Sequence, residues 1–158
     1  MTTTWAPIVD PGQLKDIRLR LLLAHWSAAA AKRGQPPSKE FVDKAELGDL
    51  LDWIFLYRVE RDPLRFLYIL CGAKISRRVG VSLTGKYVHD HPNPEVRDGI
   101  TASLTAAVTS GVPHRVESRR RLLDREMLTE VVVAPLAGSD GIVDHVLALQ
   151  ILDIGDDA

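Results

Sequence analysis

From Gln13 to Arg33 the apolar positions Leu14, Ile17, Leu21, Ala24 and Ala28 recur at steps of three and four, and Leu22, Leu23 and Trp26 widen the stripe. The spacing predicts a long amphipathic helix, with Asp10 as a cap, Pro11 at the first helical position and Gly34-Gln35-Pro36-Pro37 as its stop. Past the proline pair, SKEFVDKAELGDLL predicts a second, shorter helix. From Trp53 the texture changes to short aromatic and aliphatic runs with turn residues between them. WIFLYRV and RFLYILC, separated by Glu60-Arg61-Asp62-Pro63-Leu64, read as an antiparallel strand pair.

RFLYILC stops at Cys71-Gly72. Ile75 and Val79, four apart, put two apolar side chains on one face of a short helix, and Gly80 and Gly85 give the backbone freedom on either side of Leu83-Thr84-Gly85-Lys86. In the stretch Pro94 to Ser110, Val96, Ile100, Leu104 and Val108 step by four and the run ends at Gly111, which is a helix with a glycine stop. Three strands follow: VPHRVESRRRL, MLTEVVVAPL and HVLALQIL. In the first, alternation puts Arg115, Glu117, Arg119 and Arg121 on one face and His114, Val116, Ser118 and Arg120 on the other. The charged row reads as a solvated face. Arg120, set among inward positions, needs Glu130, Asp144 or a ligand carboxylate as partner. In the last strand His145, Leu147, Leu149 and Ile151 alternate with Val146, Ala148, Gln150 and Leu152, so both faces are largely apolar and both should be covered.

Composition narrows the class. The chain has 158 residues, 46% hydrophobic and 26% charged, which fits one globular domain and excludes a disordered chain. A formal net charge of −1 gives no global attraction for nucleic acid or an anionic membrane, and the arginine row lacks interleaved aromatics, so neither partner is expected. The lone Cys71 forms no internal disulfide, and MTTTWAPIVDPG lacks the basic-then-apolar pattern of a signal peptide; a cytoplasmic location is expected. His89-Asp90-His91 lacks the further ligand that a zinc site needs, and no metal is expected. The five histidines form no nucleophile-base order.

Two strands, a helical connection and three strands is also the element order of the PAS fold. Asp62-Pro63-Leu64-Arg65-Phe66 leading into a strand, Gly72 before a short helix, Leu83-Thr84-Gly85-Lys86, and Ala134-Pro135-Leu136 in a late strand together resemble a bacterial family of small PAS-like proteins. His25-Trp26 and the stretch Arg33 to Ser38 fit the helical lead-in of that family, and the resemblance runs from Leu22 to Leu152. It implies an α+β fold, a five-stranded antiparallel sheet with helices across one face, preceded by the long N-terminal amphipathic helix. The boundaries are then a helical extension at 1–52, a PAS-like domain at 53–153 and a tail at 154–158.

The resemblance further implies a non-enzymatic sensory module in which Ala73 to Gly80 flanks a pocket. Its lining candidates are Phe66, Tyr68, Ile75, Val79, Leu104, His114, Val116, Ser118, Arg120 and Leu149. No ligand is named by these residues. Haem-binding relatives carry a histidine on the helix that here runs from Pro94 to Ser110, which has none, and covalent flavin needs a cysteine on the helix after the second strand, whereas Cys71 ends the strand itself. The wide stripe on the first helix predicts a homodimer through Leu14, Ile17, Leu21, Leu22 and Trp26, with a signalling protein as a second candidate partner. The alternative is a small α+β cavity enzyme, isomerase-like, using Asp90 or Asp144 as a buried carboxylate.

Overall fold

The computed structural model describes residues 2–43, 45–80, 82–122 and 125–151; the tail at 154–158 lies outside them, as do the side chains of Val79, Arg120 and Arg121. The strands are Thr2–Pro7 (β1), Ile54–Glu60 (β2), Arg65–Cys71 (β3), His114–Leu122 (β4), Arg125–Ala137 (β5) and Val143–Ile151 (β6). They form one antiparallel sheet in the order β1-β4-β5-β6-β2-β3. The helices are Ile17–Arg33 (α1), Ala73–Val79 (α2) and Pro94–Ser110 (α3).

The five strands expected from the sequence are all present, and β1 is an addition. Its residues TTTWAP pair with β4 from Thr2↔Arg119 to Pro7↔His114. Threonine and tryptophan suit a pleated backbone, but most of β1 is exposed, so no buried alternation marks it in the sequence.

The first helix begins later than its periodicity suggests. Asp10 caps only a 3-10 turn, Pro11–Gln13, whose Gln13 Oε1 accepts from the Asp10 amide at 2.9 Å. The chain is then extended at Leu14, and Asp16 caps α1 by accepting from the Arg18 amide at 2.8 Å. The second expected helix is instead a pair of 3-10 segments, Lys39–Asp43 and Ala45–Trp53. The latter is broken at Gly48, whose φ of 45° and ψ of −124° take the chain out of any helix.

Packing on both sides of the sheet follows from the two apolar faces of β5 and β6. On one side Val132, Ala134, Leu136, Leu147, Leu149 and Ile151 meet Leu19, Leu22, Leu23 and Trp26 of α1. On the other, Val133, Val146 and Ala148 meet Phe55, Tyr57, Phe66, Tyr68, Ile75, Leu104 and Ala107. This corrects the set of residues expected at a dimer interface. Leu14, Leu22 and Trp26 are buried in the chain's own core, and Trp26 Nε1 donates to the Pro135 carbonyl at 2.9 Å. The wide stripe is consumed intramolecularly because a whole sheet face needs covering. Of the five candidates only Ile17, 75% exposed, and Leu21, 47% exposed, face outward. The charged row of β4 is solvated at Arg119, whose side chain is 45% exposed, but not at its start. Arg115 and Glu117 keep only 18% and 16% of their side-chain surface, paired with each other at 2.9 Å. Among the described residues no helix is long and apolar enough to cross a membrane.

Candidate ligand cavity

The sheet face opposite α1 carries cross-strand rows whose polarity changes along the strands. Thr3, Ser118 and Thr129 stand opposite one another on β1, β4 and β5. Val116, Val131 and Gln150 make the next row, then Val133, Ala148 and Phe55. Tyr57 and Tyr68 pair beyond them on β2 and β3. Helix α3 crosses above with Val96, Ile100, Ser103 and Leu104, and between helix and sheet lies a partly open cavity of ≈ 500 Å³. Leu83, His91 and Asn93 complete its wall on the approach to α3.

Local chemistry places these walls. Asn93 Oδ1 caps α3 by accepting from the Glu95 amide at 3.0 Å, and Pro94 supplies its first helical residue. Gly99 lets α3 sit close to β1, since a Cβ there would lie 3.3 Å from Thr3 Cγ2. Gly72, at the strand-to-helix corner before α2, has no alternative: a Cβ would lie 2.4 Å from the backbone of Leu51 and Asp52. Its amide donates to the Ile54 carbonyl at 2.8 Å, fixing the corner against β2.

One end of the cavity is aromatic. Phe55 and Tyr68 meet edge to face with ring centroids 5.4 Å apart, and Tyr57 lies 4.7 Å from Tyr68. Burial pushes the Tyr57 hydroxyl well above its ordinary range, helped by the adjoining Tyr68, and burial raises Tyr68 as well. Both phenols are therefore neutral at physiological pH. The other end is polar. Thr3 Oγ1 and Ser118 Oγ share a hydrogen bond of 3.2 Å across β1 and β4. Among the described residues, the Thr129 hydroxyl and the Gln150 carboxamide have no hydrogen-bond partner within the protein.

Of the residues singled out from sequence, Tyr68, Leu104, Val116 and Ser118 line this cavity. Phe66 and Ile75 are buried in the same apolar layer without reaching it. His114 is buried apart from it, with Nδ1 3.0 Å from the Val112 carbonyl. Leu149 is a correction: the alternation of β6 turns it to the α1 side with Leu147 and Ile151, and Ala148 and Gln150 face the cavity in its place. Sequence reasoning misses Phe55, Tyr57, Thr129, Val131 and Val133, although choosing the Val146-Ala148-Gln150 parity and following it across the ladder reaches most of them. Thr3 gives no such signal.

Asp90 and Asp144 are not in the wall of this cavity, and their side chains are 65% and 48% exposed. Among the described residues the buried carboxylate is Glu130, on the opposite face. Cys71 does not line the cavity, so the described wall offers no thiol for a covalent flavin. A second cleft of ≈ 530 Å³ lies between α1 and the 3-10 segments, walled by His25, Lys32, Arg33, Glu40 and Glu46 among others.

No protein-family model matches the chain, and no curated protein matches it. Solved structures do. An RNA-binding light-oxygen-voltage receptor is 16% identical with a TM-score of 0.51; the alignment covers 95% of this chain and 38% of that one, so the chain spans well under half of the receptor's length. A light-oxygen-voltage domain studied with a flavin analogue is 14% identical with a TM-score of 0.51, over 70% of this chain and 86% of that one. A PAS domain from Colwellia psychrerythraea is 18% identical with a TM-score of 0.47, over 66% and 90%. Light-oxygen-voltage domains are PAS domains, and the chain has the PAS fold, with β1 and α1 added to it.

Proposed function

We propose that this chain is a non-enzymatic PAS-type sensory module: a small molecule occupies the cavity under α3, and occupancy is passed to the surface at α1. The supporting observation is the alternation of β6, which puts Ala148 and Gln150 in the cavity wall and Leu147, Leu149 and Ile151 under α1. Adjacent residues of one strand thus touch the ligand space and the helix. A ligand acts only through its difference in affinity for two states, so a shift of β6 on filling the cavity must alter the packing of α1. The exposed pair Ile17 and Leu21 is where a second copy, or a signalling partner, meets that helix. The isomerase-like alternative requires a carboxylate facing the cavity; among the described residues none lines it.

Native mass spectrometry of the purified protein tests for a retained small molecule. Hydrogen exchange with and without a molecule found in this way tests the coupling. Changed protection in residues 17–33 on filling the cavity is the expected result, and unchanged protection there at saturation removes the mechanism.

A further inference from the structure

The distribution of polar atoms in the cavity narrows what it accepts. Resting on the reading of this cavity as a ligand site, we infer that its ligand is an uncharged ring molecule carrying a hydroxyl or carbonyl group at one end. Phe55, Tyr57 and Tyr68 crowd one end with aromatic surface, and flat rings pack on such surface edge to face or offset. The volume of ≈ 500 Å³ lies within the range of small-molecule sites, roughly 300–1,000 Å³.

At the other end stand Thr129 and Gln150, whose side chains have no partner among the described residues, beside the Thr3–Ser118 pair. Hydroxyl and carboxamide groups both donate and accept, so either a hydroxyl or a carbonyl on the ligand is satisfied there. Among the described lining residues there is no Asp, Glu, Lys or Arg. A carboxylate or phosphate entering the cavity would meet none of these cations. It would exchange its hydration for the His91 imidazole and the dipoles of the hydroxyls, the carboxamide and the first turn of α3 at Asn93 and Val96, less than a full countercharge, which selects against anions. The second cleft, with Lys32, Arg33, Glu40 and Glu46 in its wall, has the opposite character.

Three naphthalene probes test this: 2-naphthol, 2-methylnaphthalene and 2-naphthoate, titrated at neutral pH and followed by amide chemical shifts. Binding in the cavity moves the amides of β5 and β6 around Val131, Ala148 and Gln150. In the unaltered protein 2-naphthol is expected to bind at least about tenfold tighter than 2-naphthoate. The Thr129→Val, Gln150→Leu double variant should weaken 2-naphthol about three- to tenfold, the value of one net hydrogen bond, and leave 2-methylnaphthalene as tight or tighter. Naphthoate binding as tightly as naphthol overturns the inference, and that comparison needs no variant. Equal weakening of naphthol and methylnaphthalene in the double variant also overturns it; both outcomes leave the cavity standing as a ligand site. If none of the three probes moves the β5 and β6 amides, the ligand-site reading falls and this inference with it.

Discussion

Arg115 Nε donates to Glu130 Oε2 at 2.6 Å, and Glu130 is completely buried. The same carboxylate accepts from the backbone amides of Lys15 and Asp16, at 3.0 Å each at closest. One acidic side chain on β5 therefore holds both the β4 arginine and the extended residues that lead into α1. Removing it leaves the Lys15 and Asp16 amides without that acceptor and takes one of two carboxylate partners from a largely covered guanidinium, which keeps Glu117 at 2.9 Å. Glu130→Ala is expected to cost about 3 kcal/mol, the lower end of the range for breaking a buried pair because Arg115 keeps some solvent contact. Glu130→Gln, which retains an acceptor, should cost less. Urea denaturation compares the two, and an alanine variant as stable as the unaltered protein would refute the role.

The corner at Gly72 makes a sharper steric forecast. Backbone atoms of Leu51 and Asp52 stand 2.4 Å from the point a methyl group would occupy, and no side chain can move aside to make room. Gly72→Ala should destabilise by about 1–3 kcal/mol or more through overpacking, even though its φ of −61° suits alanine. A thermal melt within a degree of the parent would contradict the geometry.

Glu60 offers a test by pH. Its carboxyl is held down from 4.5 to about 2, first by Arg58 and then by the Tyr87 hydroxyl and Arg65. Arg58 Nη2, Arg65 Nε and Tyr87 Oη each donate to it at 2.8 Å. The folded protein binds this proton more weakly than the unfolded chain, so the stabilisation is full above 4.5 and fades as pH falls towards about 2. The stability difference between the parent and Glu60→Gln should be flat from pH 7 to 5 and narrow below that. A difference that grows on acidification would reverse the sign.

If α1 meets a second copy, it does so through Ile17 and Leu21, since Leu22 is spent internally. The Ile17→Asp, Leu21→Asp variant should convert a dimer to a monomer with little change in melting temperature, whereas Leu22→Asp should unfold the chain by burying a charge. Light scattering at micromolar concentration separates these outcomes. Persistence of a dimer in the double variant places the interface elsewhere.

Alternation and helix stops make much of this fold readable. β3, α2 and α3 lie where Arg65–Cys71, the Ile75–Val79 spacing and the Pro94-to-Gly111 frame put them. The two faces of β6 are legible too, but alternation alone does not say which parity meets the cavity, and Leu149 falls on the α1 side for that reason. The anchoring role of Glu130 has no sequence signal, because two of its donors are backbone amides, which carry no residue signature. The α1 stripe reads as intermolecular because periodicity reports that a face is covered and is silent about whose atoms cover it.

Thr3 and Ser118, which share the hydrogen bond at the polar rim, are 115 residues apart in the chain. That separation sets an order of events during folding. Closing so long a loop from the unfolded state costs about 4 kcal/mol in chain entropy, more than one mostly exposed strand can repay. Once β4, β5 and β6 have paired and α1 has docked on them, the same strand is tethered by the few residues before α1 and the closure becomes cheap. β1 is thus expected to join the sheet after β4, β5 and β6. By the same energetics it is expected to detach first, uncovering the polar end of the cavity while the rest of the sheet remains folded, and faster hydrogen exchange at residues 2–7 than in β4 to β6 is the measurement that checks it.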